Sequence, residues 1–382
     1  MQNQKHQFRL DSEITYLNGA YMSPQLKSVE EIGVQCLSKK NTPYSISEAD
    51  FFEDKITLKK RFAQLIETQD HETIAIIPSV SYGIAIAAHN IPFKKGDEII
   101  VLEEQFPSNY YAWKALEESI GVVVKTVQAP KITPSRGATW NTSILEAINS
   151  KTKCVAIPNC HWADGTLFDL KAIRTRTHEV DAYLIIDGTQ SVGALPFSVE
   201  KIKPDALICG GYKWLMGPYS LGVAYFGERF HNGNPIENNW MNHMGSEDFS
   251  KLVKYNHILK PKAARYDVGE SSNFILTPML SEAIRQLNAW GVENIQSYCK
   301  SISTAAIARL RDRGHFIEED TMRSHHLFGI YPSEEKSMSV IKSALTKANI
   351  FVSYRGNAIR VSPNVYNTAS DLDHLAEVIL NC

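Results

Sequence analysis

The sequence predicts an α/β fold: a large domain built on a mainly parallel seven-stranded sheet between helices, followed by a smaller α+β C-terminal domain. Three observations predict it. Seven short runs rich in Val and Ile recur between residues 72 and 227. The runs are mostly continuous rather than alternating, which marks strands covered on both faces. Helix-like stretches fall between several of them, and strands alternating with helices build parallel sheets.

In chain order the strand candidates are ETIAIIP (72–78), DEIIVLE (97–103), GVVVKTV (121–127), KCVAIPN (153–159), AYLIIDG (182–188), DALICGG (205–211) and LGVAYFG (221–227). A helix is expected over 81–90. PSNYYAWKALEESIG (107–121) opens on Pro and Ser and closes on Gly, good start and stop signals. SILEAINS (143–150) and DLKAIRTRTHEV (169–180) carry apolar residues at helical spacing. Beyond about residue 260 the texture changes. Residues 277–314 read as two helices broken near Gly291, HHLFGIYP (325–332) and AIRVSP (358–363) as strands, and 334–348 and 370–380 as helices. The expected domains are 25–260 and 261–382.

The 382 residues carry 40 Lys and Arg against 42 Asp and Glu, a formal net charge of −2. That balance argues against nucleic acid as a partner, since such binders show a basic excess on some face. A chain that is 43% hydrophobic and 21% charged is not disordered. No two of the six cysteines are spaced as CxxC, so neither a zinc ribbon nor a redox pair is indicated, and no metal site is expected. The most apolar window, 73–92, contains Pro78 and several polar residues; it reads as strand, turn and buried helix rather than a membrane span. The polar N-terminal stretch lacks the apolar core of a signal peptide, so the cytoplasm is the expected compartment. NTS at 141–143 then reads as a chance match to a glycosylation pattern.

Ligands of open parallel sheets sit beyond the carboxyl ends of the strands. The run at 182–188 leads into Asp187-Gly188-Thr189-Gln190, which points a carboxylate into that crevice. The run at 205–211 leads into Tyr212-Lys213, between glycines and large apolar residues. That setting desolvates an ammonium and lowers its pKa. The helix after Pro78 offers free backbone N–H groups and small hydroxyls, a ready anion site. Each element alone has an ordinary reading: a turn former, a solvated lysine, a helix cap. Together they form the set that pyridoxal 5′-phosphate requires for its ring nitrogen, its aldehyde and its phosphate.

The stretch YLIIDGTQSVGALPFSVEKIKPDALICGGYKWLMGP (183–218) resembles the core signature of the class V aminotransferase family of pyridoxal-phosphate enzymes, of fold type I. That family includes cysteine desulfurases, kynureninases and isopenicillin N epimerase-like proteins. YLNGAYMSP (16–24) and YRGNAIRVSPNVYNTASDLDHL (354–375) extend the resemblance over nearly the whole chain. It implies that Lys213 is the Schiff-base lysine, that Asp187 pairs with the pyridinium nitrogen, and that Gln190 hydrogen-bonds the phenolic oxygen or lies beside it. Ser81, Tyr82 and Tyr212 would hold the phosphate, and Phe106 would stack on the ring. Arg360 would grip the substrate carboxylate, with Asn18 and Tyr21 of the N-terminal segment lining the site. Ser272 and Asn273, in GESSNF (269–274), would reach the cofactor phosphate of the other subunit of a homodimer.

Three departures limit what the resemblance implies. The segment ANIFVSYRGNAIRVSP (348–363) has no cysteine where desulfurases carry their nucleophile, which argues against a desulfurase proper. In IPNCHWADGT (157–166) either His161 or Trp162 stands where many relatives place an Asn beside the cofactor. Gly210 stands where desulfurases have Ser, which removes one phosphate contact. The implied activity is on an amino acid or related amine through an external aldimine. An aminotransferase is favoured; an epimerase or a C–S or C–C lyase is the alternative. A non-catalytic pyridoxal-phosphate-binding protein is the alternative from another class. A nucleotide-binding α/β enzyme is disfavoured, because no GxGxxG follows a strand and no GxxxxGK[ST] occurs.

Overall fold

Seven strands, all but the outermost of them buried along almost their whole length, form the central sheet of the computed structural model, which describes residues 1–333 and 336–382. The chain opens with a two-residue strand, β1 (Thr15–Tyr16), and two helices, α1 (Lys27–Leu37) and α2 (Glu53–Leu65). Then come β2 (Ile74–Ile77), α3 (Val80–Asn90), β3 (Glu98–Leu102), α4 (Ser108–Ser119), β4 (Val123–Val127), α5 (Arg136–Ala147) and β5 (Thr152–Pro158). The large sheet is completed by α6 (Leu170–Glu179), β6 (Tyr183–Asp187), α7 (Val199–Ile202), β7 (Ala206–Gly210) and β8 (Gly222–Phe226). The strand order is β2-β8-β7-β6-β5-β3-β4. All neighbours are parallel except those of β8, which runs against both β2 and β7. Every expected strand of this sheet is present.

The sheet separates two cores by the period-two alternation of its side chains. Ile76, Ile100, Ile157, Ile186 and Leu207 face one side, covered by α1, α2, α5, α6 and a later helix. Ile77, Val101, Ala156, Ile185, Ala206 and Ile208 face the other, under α3 and α4. Alanines on this second face let α3 come close. A Cβ on Gly83 of α3 would meet Ile208 Cγ2 at 2.7 Å, so glycine is needed there.

The remaining elements are α8 (Leu276–Trp290), α9 (Val292–Arg311), β9 (Phe328–Ile330), α10 (Met338–Lys347), β10 (Ile350–Phe351), β11 (Ser353–Arg355), β12 (Ala358–Val361) and α11 (Ala369–Leu380). Strands β11, β12 and β9 make a small antiparallel sheet, and β10 pairs in parallel with β1. A third core joins Leu17, Ile307, Phe328, Ile359 and Leu375. The N-terminal segment is thereby bound to the small unit.

The structure corrects several expectations. The break after residue 260 does not follow the cores. Ala263 and Tyr266 lie in the core beneath α3 and α4, and Leu280, Ile284 and Leu287 of α8 lie in the opposite one. The change of core falls inside α9, where Ile295 and Cys299 face the large unit and Ile302 and Ile307 the small one. Amphipathic spacing shows that a helix has a buried face but not which sheet that face covers. The helix expected at 143–150 begins at Arg136, because Trp140 and Ile144 are its buried large apolar residues and the polar residues between them hide the period. Within it Asn141 is buried and its side-chain amide donates to Gly137 O and Leu167 O, so the NTS match is structural. Of the helix expected at 334–348, residues 334 and 335 lie outside the described residues. Among the described residues, no helix is long and apolar enough to cross a membrane.

Candidate active site

Beyond Leu102 of β3 the chain next enters the outer strand β4, then returns to β5 on the other side of β3. Crevices form where strand order reverses in this way. A cavity of about 300 Å³ opens there, bordered by residues that follow β2, β3, β5, β6 and β7.

Lys213 is set in a closed loop after β7. Gly211 N donates to Leu221 O (2.9 Å), and Gly217 N donates to Gly211 O (2.8 Å). A Cβ on Gly211 would lie 2.4 Å from Leu221 O, so only glycine permits this closure. The side chain of Lys213 is 7% exposed, and its Nζ sits 5.1 Å from the Phe106 ring centre and 5.4 Å from that of Tyr212. Burial pushes its ammonium down to about 8; Asp187 opposes that shift, and Arg360 and Arg355 add to it. The group is thus largely protonated at neutral pH but readily yields its proton.

Asp187 ends β6, buried. Its Oδ1 accepts a hydrogen bond from Thr189 N at 3.0 Å. Burial pushes its carboxyl above the usual range, against the pull of Thr189 and Lys213. Gly210 N donates to Thr189 Oγ1 at 3.1 Å, so Thr189 ties the ends of β6 and β7 together. Gln190 borders the cavity, but its amide is already engaged: Nε2 donates to Ala20 O (3.0 Å) and Oε1 accepts from Trp214 Nε1 (2.9 Å).

At the N-terminus of α3, Ser79 is the cap, accepting from Tyr82 N at 3.2 Å, and Ser79, Val80 and Ser81 border the cavity. First-turn N–H groups lack intrahelical partners and favour an anion. Tyr82, expected beside Ser81, does not border the cavity: its phenol lies beside Glu237, and burial, then that carboxylate, raises its pKa. Helical geometry carries the residue after Ser81 around to another face. Tyr212 does border the cavity, edge-on to Tyr219 at 4.7 Å.

The wall opposite Lys213 is Phe106 and Trp162, edge to face at 5.4 Å. Glu104 adopts a left-handed conformation (φ 56°), which turns its carbonyl to accept from Trp162 Nε1 at 2.6 Å. Of the two residues left open, Trp162 borders the cavity and His161 does not. His161 is fully buried behind the wall, with Nδ1 3.0 Å from Asp164 Oδ1 and Nε2 3.3 Å from Glu104 O. Asp164 also accepts from Arg136 Nη1 (2.8 Å), Tyr331 OH (2.9 Å) and Thr166 Oγ1 (2.9 Å).

Arg360, on β12, is 1% exposed and does not itself border the cavity; its guanidinium carbon lies 5.9 Å from the ring centre of Trp162, which does. Its Nη1 donates to Trp162 O (3.0 Å) and Nη2 to Ser353 Oγ (3.3 Å), while Nε is buried with no partner. Burial, then Arg355, pushes its guanidinium down to about 9. Asn18 does not border the cavity; its Oδ1 accepts from Ser353 Oγ at 2.6 Å, so it orients Arg360 through Ser353. Tyr21 is 57% exposed and also lies outside the cavity lining. Ser272 is buried against Met241, and Asn273 Oδ1 accepts from Ile275 N and Leu276 N at the start of α8. Neither of these last two borders this chain's cavity.

Among the residues that border the cavity, sequence reading missed Ser79, Thr189 and Tyr219. Ser79 had a signal, as the small hydroxyl before a helix, and Thr189 sits in the quoted turn after Asp187. Tyr219 had none, because tertiary packing alone brings it to the cavity.

A family model described as Aminotransferase class-V matches residues 47–375. An uncharacterized aminotransferase of Bacillus subtilis, YcbU, is 23% identical over 84% of this chain and 82% of its own. Among solved structures, the cysteine desulfurase CsdA of Escherichia coli superposes with a TM-score of 0.81 at 20% identity, over 99% of this chain and 96% of that one. A C-DES mutant with glycine covalently linked to its PLP cofactor superposes with a TM-score of 0.85 at 18% identity, over 98% of this chain and 99% of that one.

Proposed function

The chain belongs to the class V aminotransferase family and is a pyridoxal 5′-phosphate-dependent transferase of fold type I, and we propose that its reaction is transamination of an amino acid at the cavity around Lys213. The observation that carries the proposal is a buried lysine and a buried carboxylate bordering one cavity, with a helix N-terminus at its rim. These residues fit the cofactor. Lys213 offers an amine that burial makes reactive, and Asp187 keeps one oxygen for a ring nitrogen after Oδ1 takes the Thr189 amide. Ser79, Ser81 and the first-turn amides of α3 suit a phosphate, and Phe106 and Trp162 supply an apolar wall. When bound, pyridoxal 5′-phosphate supplies an electron sink that weakens bonds at the substrate α-carbon.

The chain's own residues do the rest. Arg360, with its unpartnered Nε, takes the substrate carboxylate in a geometry suited to a planar guanidinium. Asn18 and Ser353 hold that guanidinium in place. Lys213, once its amine is free, moves the α-proton, a role matched to a pKa of about 8. Trp162 and Phe106 keep water from the reacting side. We further propose a homodimer in which Ser272 and Asn273 approach the partner's cofactor phosphate. Exposed Tyr255, Val253 and Ile258 favour an apolar contact between copies.

The test is visible absorbance with and without borohydride, followed by peptide mapping. The purified protein should hold a visible band that borohydride abolishes, with the reduced adduct on Lys213. Lys213→Ala should lose the adduct and at least about 1000-fold in turnover. A protein that takes up no cofactor sinks the proposal. Keto-acid formation from an amino donor selects transamination; an inverted amino acid, or a released side-chain fragment, selects the epimerase or lyase alternative.

A further inference from the structure

We propose that the substrate carries a second, distal carboxylate and that Arg355 is the residue that receives it; the inference rests on the transferase reading above, which gives the α-carboxylate to Arg360. The β11–β12 pairing sets Ser353 opposite Arg360 and Arg355 opposite Ala358. With a side-chain period of two, Arg355 and Arg360 are diagonal neighbours on one face of the small sheet. Their guanidinium carbons stand 5.2 and 5.9 Å from the centre of the same indole, Trp162, which borders the cavity.

Both cations lack what ordinarily accompanies them. Among the described residues neither makes an ion pair with a carboxylate, and both Nε atoms are buried with no hydrogen-bond partner. Among the described residues Arg355 donates only to Tyr354 O, at 2.7 Å. Lys213 alone is set against the carboxylate of Asp187, and both arginines disfavour the charge on Lys213. One substrate carboxylate presents a single bidentate edge and satisfies one guanidinium. A second carboxylate matches the other. Depth orders the two: Arg360 is 1% exposed, whereas Arg355 is part-exposed at the end of its strand. The inner arginine therefore takes the group nearest the reacting carbon and the outer one the end of the side chain. The substrate class that fits is a short dicarboxylic amino acid.

Calorimetric binding of succinate, glutarate and butyrate to the holoenzyme tests this, with the visible band recorded on the same sample. Glutarate or succinate should bind at least about tenfold more tightly than butyrate. Arg355→Gln should remove that preference while leaving butyrate within about twofold, Arg355→Lys should keep part of it, and Arg360→Gln should weaken all three. If butyrate binds as tightly as both diacids, or Arg355→Gln weakens butyrate and diacids alike, the proposal is overturned, the latter because both arginines then share one carboxylate. A sample with the borohydride-sensitive band but no diacid preference overturns this inference alone. A sample without the band overturns the transferase reading and this inference with it.

Discussion

Two buried charged clusters lie back to back across residues 160–166, and they are built on opposite terms. Behind the wall, Asp164 accepts from His161, Arg136, Tyr331 and Thr166, and Gly137 N donates to Glu318 Oε2 at 2.8 Å. In front of it, Lys213 and Asp187 face open space, and Arg355 and Arg360 keep unpartnered Nε atoms. Burying charge without a countercharge costs several kcal/mol per ion, a cost that a ligand of opposite charge would offset. The matched cluster is scaffold; the unmatched one is the candidate site. Trp162 belongs to both, since its indole faces the cavity while its backbone O receives Arg360 and its Nε1 donates to the same Glu104 carbonyl that His161 faces.

The largest expected effect breaks the matched side. Asp164→Ala leaves Arg136 and His161 buried without their acceptor and should cost about 3–5 kcal/mol in denaturant unfolding. Burial alone would raise the Asp164 carboxyl, but His161 and then Arg136 hold it well below its usual 3.8. That contribution is therefore fully present above about pH 4 and is lost as acid protonates the folded state. In the variant, acid sensitivity between about pH 4 and 2 should be correspondingly weaker. An unfolding midpoint unchanged from the parent would remove the distinction between the clusters.

A smaller effect is expected on the unmatched side, and of another kind. Arg360→Gln should lower kcat/KM by about 2–3 kcal/mol, roughly 30- to 150-fold. Its unfolding free energy should change by less than about 1 kcal/mol, because the change removes an uncompensated buried charge. Steady-state kinetics and denaturant unfolding on the same preparation check both halves. A stability loss like that of Asp164→Ala would place Arg360 with the scaffold.

Strands were legible from the sequence because burial on both faces leaves continuous Val and Ile, as in YLIIDG, and those strand ends located Asp187 and Lys213. The helices before residue 73 were not, since α1 and α2 turn only part of their surface inward and expose residues such as Val34, Leu37 and Ile56. His161 and Trp162 could not be ranked because adjacent residues after a strand point to opposite sides, and the choice depends on Glu104, far away in sequence. Tyr82 stands outside the cavity lining for a related reason: its phenol finds Glu237, a partner that no local pattern predicts. Arg355 stood in plain view in YRGNAIR, yet only the register of β11 and β12 sets it diagonally beside Arg360.

The finest test of the unmatched cluster is the titration of Lys213. With a pKa of about 8, set first by burial, about one amine in ten is neutral at pH 7, against roughly one in several thousand for an unperturbed lysine. Cofactor uptake by the cofactor-free protein, followed at the visible band, should accelerate about tenfold per pH unit below 8 and level off above it. The neighbours fix the sign of each perturbation. Asp187 raises the Lys213 pKa, so Asp187→Asn should move the levelling point down; Arg360 and Arg355 lower it, so Arg360→Gln or Arg355→Gln should move it up. Arg355→Gln, which removes the more exposed and weakest of these contributors, should give the smallest displacement. If uptake still accelerated beyond pH 10, Lys213 would titrate as an ordinary surface amine and the cluster would hold no poised base.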